Sequence, residues 1–195
     1  MAKILQNLDK IILLTVAFLI MVSKFGIGLK YLSVWDIVKN HVNCFRDSRS
    51  KKYVIMPIIN YLVSPLLLGI AAALMRITDS EVINIITVIM SILTAMLFTL
   101  LTLIIDMKTK IDANPKYYSQ EAELSKISLI ETYYAVMFEI LVAIIVLIMC
   151  LFNAFTKKYG FIQSCVIYGL TFLFIVNLLM VIKRIFRVID TNMKK

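Results

Sequence analysis

Four long runs of apolar residues dominate the chain: Val54–Leu74, Val82–Ile105, Thr132–Phe155 and Phe161–Ile182. Runs of about 20 residues match the roughly 30 Å hydrocarbon layer of a bilayer. Backbone groups inside lipid must satisfy their own hydrogen bonds, so each run is expected to be a helix. Each carries Thr, Asn or Ser, and the one charged residue within them is Glu139. The pattern predicts an all-α fold, a polytopic transmembrane helical bundle with four spans. A shorter apolar run, Ile11–Val22, reads as either a fifth N-terminal span or a helix lying in the interface. Its 12 residues would rise only about 18 Å, so spanning needs the longer stretch Ile11–Leu29, with Lys24 snorkelling. The following "MVSKFG" lacks the small-x-small pattern of a signal-peptide cleavage site.

The segments between the runs carry structure too. In "YLSVWDIVKNHVNCF", Tyr31, Val34, Trp35, Val38, Val42 and Phe45 fall on one helical face, and Asp36, Lys39, Asn40 and Asn43 on the other. This predicts an amphipathic helix suited to the headgroup layer, with the lone His41 as a surface residue on its polar side. Farther on, Asn114 suits a helix cap and Pro115 the first helical position. One helix is expected from Pro115 to about Phe155, far longer than the bilayer requires. The expected organisation is an N-terminal hydrophobic segment (1–30), an amphipathic basic segment (31–53), a transmembrane hairpin (54–105), a loop with a helix extension (106–131), a second transmembrane hairpin (132–182) and a basic tail (183–195). Pro57, Pro65 and Gly69 stand in the first long span, and Gly69 with Ala73 forms a small-xxx-small pair that permits close helix approach.

Charge orients this picture. Segments 23–53, 106–128 and 183–195 hold 16 of the 21 Lys and Arg residues. The alternate loops hold Arg76, Lys157 and Lys158. By the positive-inside rule the basic segments face the cytoplasm. The net charge of +9 is thus accounted for by topology and anionic lipid. The basic run "RDSRSKK" lacks the interleaved aromatics and accompanying fold of a nucleic-acid surface, so direct nucleic-acid contact is not expected. Five glycines and one histidine leave no phosphate-binding loop, HExxH arrangement or CxxC pair, so neither a cofactor, a metal site nor an enzymatic activity is expected. Cys44 should be reduced in the cytoplasm. Cys150 and Cys165 flank the outer hairpin, as small buried residues or as a disulfide.

Glu139 is the main polar signal. A charged side chain at mid-bilayer costs roughly 2.5–3.5 kcal/mol, so it should face protein or water. Steps of three and four from it reach Ser128, Thr132, Ala135, Ala143, Val146, Cys150 and Asn153, a small or polar stripe. Met137, Leu141, Ile145, Ile148 and Phe152 form the opposite, lipid-suited face. A matching stripe runs through Thr87, Ser91, Ala95, Thr99 and Thr102. Counting inward from the span ends puts Asn60, Thr99 and Glu139 at one depth, which predicts an intramembrane polar layer of these three. Asn177 shares the depth, but Tyr168 and Thr171 define a different face of its helix. Glu139 then serves either a structural hydrogen bond or, in several copies, a ring lining a pore.

The outer loops are very short, and most non-membrane mass lies on the basic side. Two functions fit: a scaffold or sensor that recruits a cytoplasmic protein, and an ion-conducting effector lined by Glu139. In the first, Trp35, Lys39, Glu121, Glu123 and Lys126 would form the docking surface. The four spans, short outer loops, basic cytoplasmic segments and Ile/Lys/Asn-rich composition resemble the small membrane subunits of bacterial anti-phage defence systems, the Kiwa type most of all. The resemblance covers the general build of the chain and carries no motif. It implies a homo-oligomer, a tetramer, in the bacterial inner membrane, with a cytoplasmic partner.

Overall fold

The structure, a computed structural model, describes residue 15 and residues 34–46, 53–113, 120–156 and 159–193. The chain falls into two compact units, Met1–Asp36 and Ile37–Lys195. Of the first, Thr15 (in helix) and residues 34–36 are described. The elements are α1 (Trp35–Asn43), α2 (Ile55–Met75), α3 (Ser80–Asp112), α4 (Gln120–Thr156) and α5 (Phe161–Met193). Among the described residues the fold is all-helical, with one isolated bridge between Arg46 and Tyr53 in place of any strand. Helices α2 to α5 are the four long and apolar enough to cross a membrane, which makes this a multi-pass membrane protein. A fifth span is not among them; Ile11–Val22 lies outside the described residues apart from Thr15, as do Asn114 and Pro115.

The helices outrun the apolar runs at the basic end. Residues 106–112, expected as loop, continue α3, and the basic tail continues α5 to Met193. Asp106 and Lys110 pair one turn apart at 2.7 Å, a spacing that supports a solvated helix. At the other end Asp79 caps α3, its Oδ1 accepting the Val82 N–H at 2.9 Å.

Packing does not follow chain order. Only four residues join α2 to α3, yet α2 packs chiefly on α5, α3 on α4, and α4 on α5. The expected hairpin over 54–105 is thus a tight connection between helices that pack elsewhere. Glycine is the reason for the α2–α5 pairing. A Cβ built on Gly69 would lie 2.3 Å from both Cα and N of Gly169. Backbone meets backbone there, a spacing only small residues permit. Ala73, one turn on, is buried in the same helix. Just before Pro65, α2 passes through a π turn, Ile59–Val63. Pro65 has no N–H for the Tyr61 carbonyl four residues back, and the wider turn accommodates that loss.

Candidate functional site

The interface between α4 and α5 carries the site. The predicted stripe on α4 is its buried face from Thr132 on: Thr132, Ala135, Glu139, Ala143, Val146, Cys150 and Asn153 are all at most 1% exposed, while Ser128 at its start is half-buried. Its opposite face looks outward, with Ile145, Ile148 and Phe152 exposed. Against the buried stripe α5 sets three polar partners. Near the short-loop end, the Gln163 amide donates to the Asn153 side-chain oxygen. At mid-height, Asn177 lies within interaction reach of the Glu139 carboxyl. At the basic end, Arg184 pairs with Glu131 at 3.6 Å. In each pair the two residue numbers add to 315 or 316, so one antiparallel register generates all three. At 1.5 Å per residue the rungs stand about 12 and 21 Å apart along α4.

The middle rung is the driest. Glu139 and Asn177 are both 0% exposed. Neither carboxyl oxygen, and neither polar atom of the Asn177 amide, has a hydrogen-bond partner. The two groups interact without closing a bond, and a small side-chain rotation would let each satisfy the other. Interhelical polar contacts in membranes contribute about 0.6–2 kcal/mol each. Chemically the ladder offers register and cohesion.

The expected layer of Asn60, Thr99 and Glu139 is not assembled within the chain. Asn60 and Thr99 are exposed while Glu139 is buried. Ser91, Ala95, Thr99 and Thr102 are exposed along α3, and the three hydroxyls among them bond back to carbonyls one turn earlier. The buried face of α3 is instead Ile83, Ile86, Met90, Leu97 and Ile104. Equal depth places groups at one height but leaves their direction around the helix open. Asn177, assigned to a different face from sequence, is the residue that meets Glu139.

A second cluster closes the basic end. His41, expected on a polar surface, is 0% exposed. Its ring stacks on Phe138 of α4 (centroids 4.0 Å, 5° between planes) and meets Phe45 edge-on at 5.3 Å. Ile37 and Val38 pack on the same core, so the segment from Ile37 to Phe45 docks on the bundle by a face rotated from the expected one. A neutral imidazole packs as an aromatic ring, which the polar assignment overlooked. Neither ring nitrogen has a hydrogen-bond partner. Burial, aided by the Arg184 charge, pushes the His41 pKa down to about 3. Cys44 donates its thiol to the Asn40 carbonyl at 3.2 Å, and burial pushes that thiol up from its ordinary value. The cluster is tied to α2: the Val54 N–H donates to the Phe45 carbonyl at 3.0 Å, and the Tyr53 hydroxyl to Asn43 at 3.1 Å.

Of the expected docking residues, Trp35 is 68% exposed, and Lys39 and Lys126 are exposed. Glu121 and Glu123 stand in the first turn of α4, their side chains outside the described residues. Cys44, Cys150 and Cys165 are free thiols. Among the described residues no three His, Cys, Asp or Glu side chains gather as metal ligands. Comparison of the chain with family models, with curated proteins and with solved structures gives no match.

Proposed function

We propose that this chain is a homo-oligomeric membrane scaffold or sensor that holds or controls a cytoplasmic protein partner. One observation carries the reading. Helices α3, α4 and α5 run for 33, 37 and 33 residues, about 50–55 Å each, against a hydrocarbon layer of roughly 30 Å. Their surplus length ends on the basic side, where Lys108, Lys110, Lys126 and Lys183 are exposed. Helix raised out of lipid in three neighbouring elements is surface for a protein to grip. Self-association is supported by Asn60, whose amide is exposed at membrane depth and is best satisfied by another copy, with Thr99 exposed at the same depth. The setting, anti-phage defence in a bacterial inner membrane, rests on the architectural resemblance alone.

The alternative, a channel lined by Glu139, needs that carboxylate on an open wall. Its full burial against Asn177 of the same chain favours the scaffold. A photoreactive residue placed at Lys126 should crosslink a soluble protein in native membranes, and one placed at Thr99 should crosslink a second copy. Absence of the first adduct, together with a cation current that Glu139→Gln alters in planar bilayers, would overturn the scaffold in favour of the channel.

A further inference from the structure

Between α3 and α4, at their basic ends, lies a cavity of about 460 Å³ lined by Ile104, Ile105, Lys108, Thr109, Leu129, Ile130, Tyr133 and Tyr134. That volume falls within the roughly 300–1,000 Å³ of small-molecule sites. We propose that this groove binds one anionic glycerophospholipid of the cytoplasmic leaflet, headgroup on Lys108 and acyl chain along Ile104 and Ile105.

The height of the groove argues for a lipid. On α3 the apolar run stops at Ile105, and Asp106, Lys108 and Lys110 follow at once. The groove straddles that boundary. Because α3 runs toward the basic side and α4 away from it, Lys108 and Thr109 share the outer mouth with Leu129 and Ile130. Ile104 and Ile105 share the deeper part with Tyr133 and Tyr134. Tyrosines at this level are headgroup-layer residues. Both are half-buried, with their rings 5.5 Å apart.

The charge balance argues for an anion. Four acids stand near this level: Asp106 and Asp112 on α3, Glu131 on α4 and Asp190 on α5, the Asp112 side chain lying outside the described residues. Asp106 is taken by Lys110 at 2.7 Å and Glu131 by Arg184 at 3.6 Å. Asp190 has its own interaction. Lys108 alone lines the groove with a charge and has no acid partner among the described residues. A soluble anion would meet a single ammonium amid mostly apolar walls. A phospholipid phosphate brings its own apolar chain to those walls and leaves no charge unmatched.

The full chain in mild detergent, mixed with equal amounts of phosphatidylglycerol and phosphatidylcholine, tests this by native mass spectrometry. One phosphatidylglycerol per chain should survive activation that strips phosphatidylcholine. Lys108→Ala should lower its retention roughly fivefold, the effect of one lysine near an anionic surface. Thr109→Trp keeps the charge but fills the groove, and should lower retention as well. Lys110→Ala removes an equal charge already paired outside the groove, and should leave retention unchanged. Equal retention of both lipids, unaltered retention in Lys108→Ala or Thr109→Trp, or equal losses in Lys108→Ala and Lys110→Ala would each overturn the site in favour of diffuse attraction to a basic surface. Unchanged helical circular dichroism is the folding control, and a variant that loses it is replaced by Lys108→Gln.

Discussion

Lowering the pH from 7 to 5 should loosen the Ile37–Phe45 segment from the bundle, and His41 is the reason. Its imidazole is fully buried, stacked on Phe138, with no acceptor at either nitrogen. Burial first, and the Arg184 charge second, lower its pKa from 6.5 to about 3. Between those two values the undocked histidine binds a proton that the docked one refuses. Docking stability is therefore level above pH 6.5 and falls as pH drops toward 3. At pH 5 the loss is about 2 kcal/mol, from 1.5 pH units at 1.36 kcal/mol each. The opening equilibrium should rise roughly 30-fold. Amide hydrogen exchange across residues 37–45, corrected for the intrinsic pH dependence of exchange, reads that ratio. Since the chain holds one histidine, its imidazole signals in a nuclear magnetic resonance titration need no assignment. His41→Phe keeps a ring on Phe138 and removes the titration, so its protection should be flat from pH 7 to 5. A wild-type ratio equal to that of His41→Phe, or an imidazole titrating near 6.5 in the folded protein, would refute the reasoning.

Three further outcomes are expected. Single cysteines in a background lacking the native three should be labelled from outside the cell at Gly160 and not at Thr109; the reverse would invert the topology read from charge. Gly69→Ala should destabilise the protein by about 1–3 kcal/mol in denaturant titration, because the added methyl meets the Gly169 backbone at 2.3 Å, while Gly160→Ala meets nothing within 4 Å and should have little effect. Glu139→Gln should stay within about 1 kcal/mol of wild type because the amide offers Asn177 both a donor and an acceptor without the charge. Glu139→Leu should cost about 1–3 kcal/mol by stranding Asn177, and a Leu variant at least as stable as the Gln variant would show that the rung does not bond.

The spans were legible because lipid imposes one rule along their whole length. The run Val54–Leu74 became α2, Ile55–Met75, within a residue at each end. That rule lapses where a helix leaves the bilayer. Asp106, Lys108 and Lys110 end the apolar run and read as loop, yet α3 continues to Asp112. Outside lipid a helix needs only good formers and paired charges, such as Asp106 with Lys110, and neither leaves an apolar trace. The polar reading of His41 fails for a related reason. Its polarity counts against burial in a hydropathy pattern, while its neutral ring stacks on Phe138 as any aromatic would. The face that docks is set by a partner helix some 100 residues away, which local periodicity does not contain.

Depth alone does not identify the partner of Glu139. Depth within each span brought together Asn60, Thr99 and Glu139, but helices packed in a bundle share height without sharing an interface. Connectivity supplies the missing direction. Four residues join α4 to α5, so an antiparallel pair folded at that turn should match residues whose numbers add to about 317. The observed rungs add to 315 or 316. Applied to Glu139 the rule points to the stretch beside Asn177, the one amide at that level of α5. Applied to Asn153 it lands on 164, one residue from Gln163, and applied to Glu131 on 186, two residues from Arg184. The same rule fails for the equally tight turn between α2 and α3, because Gly69 and Gly169 draw α2 onto α5 instead. A short turn thus fixes register only when the two faces it brings together are complementary. Between α4 and α5 three polar matches in one register supply that complementarity, whereas α3 offers α2 no close-packing glycine and no partner for Asn60.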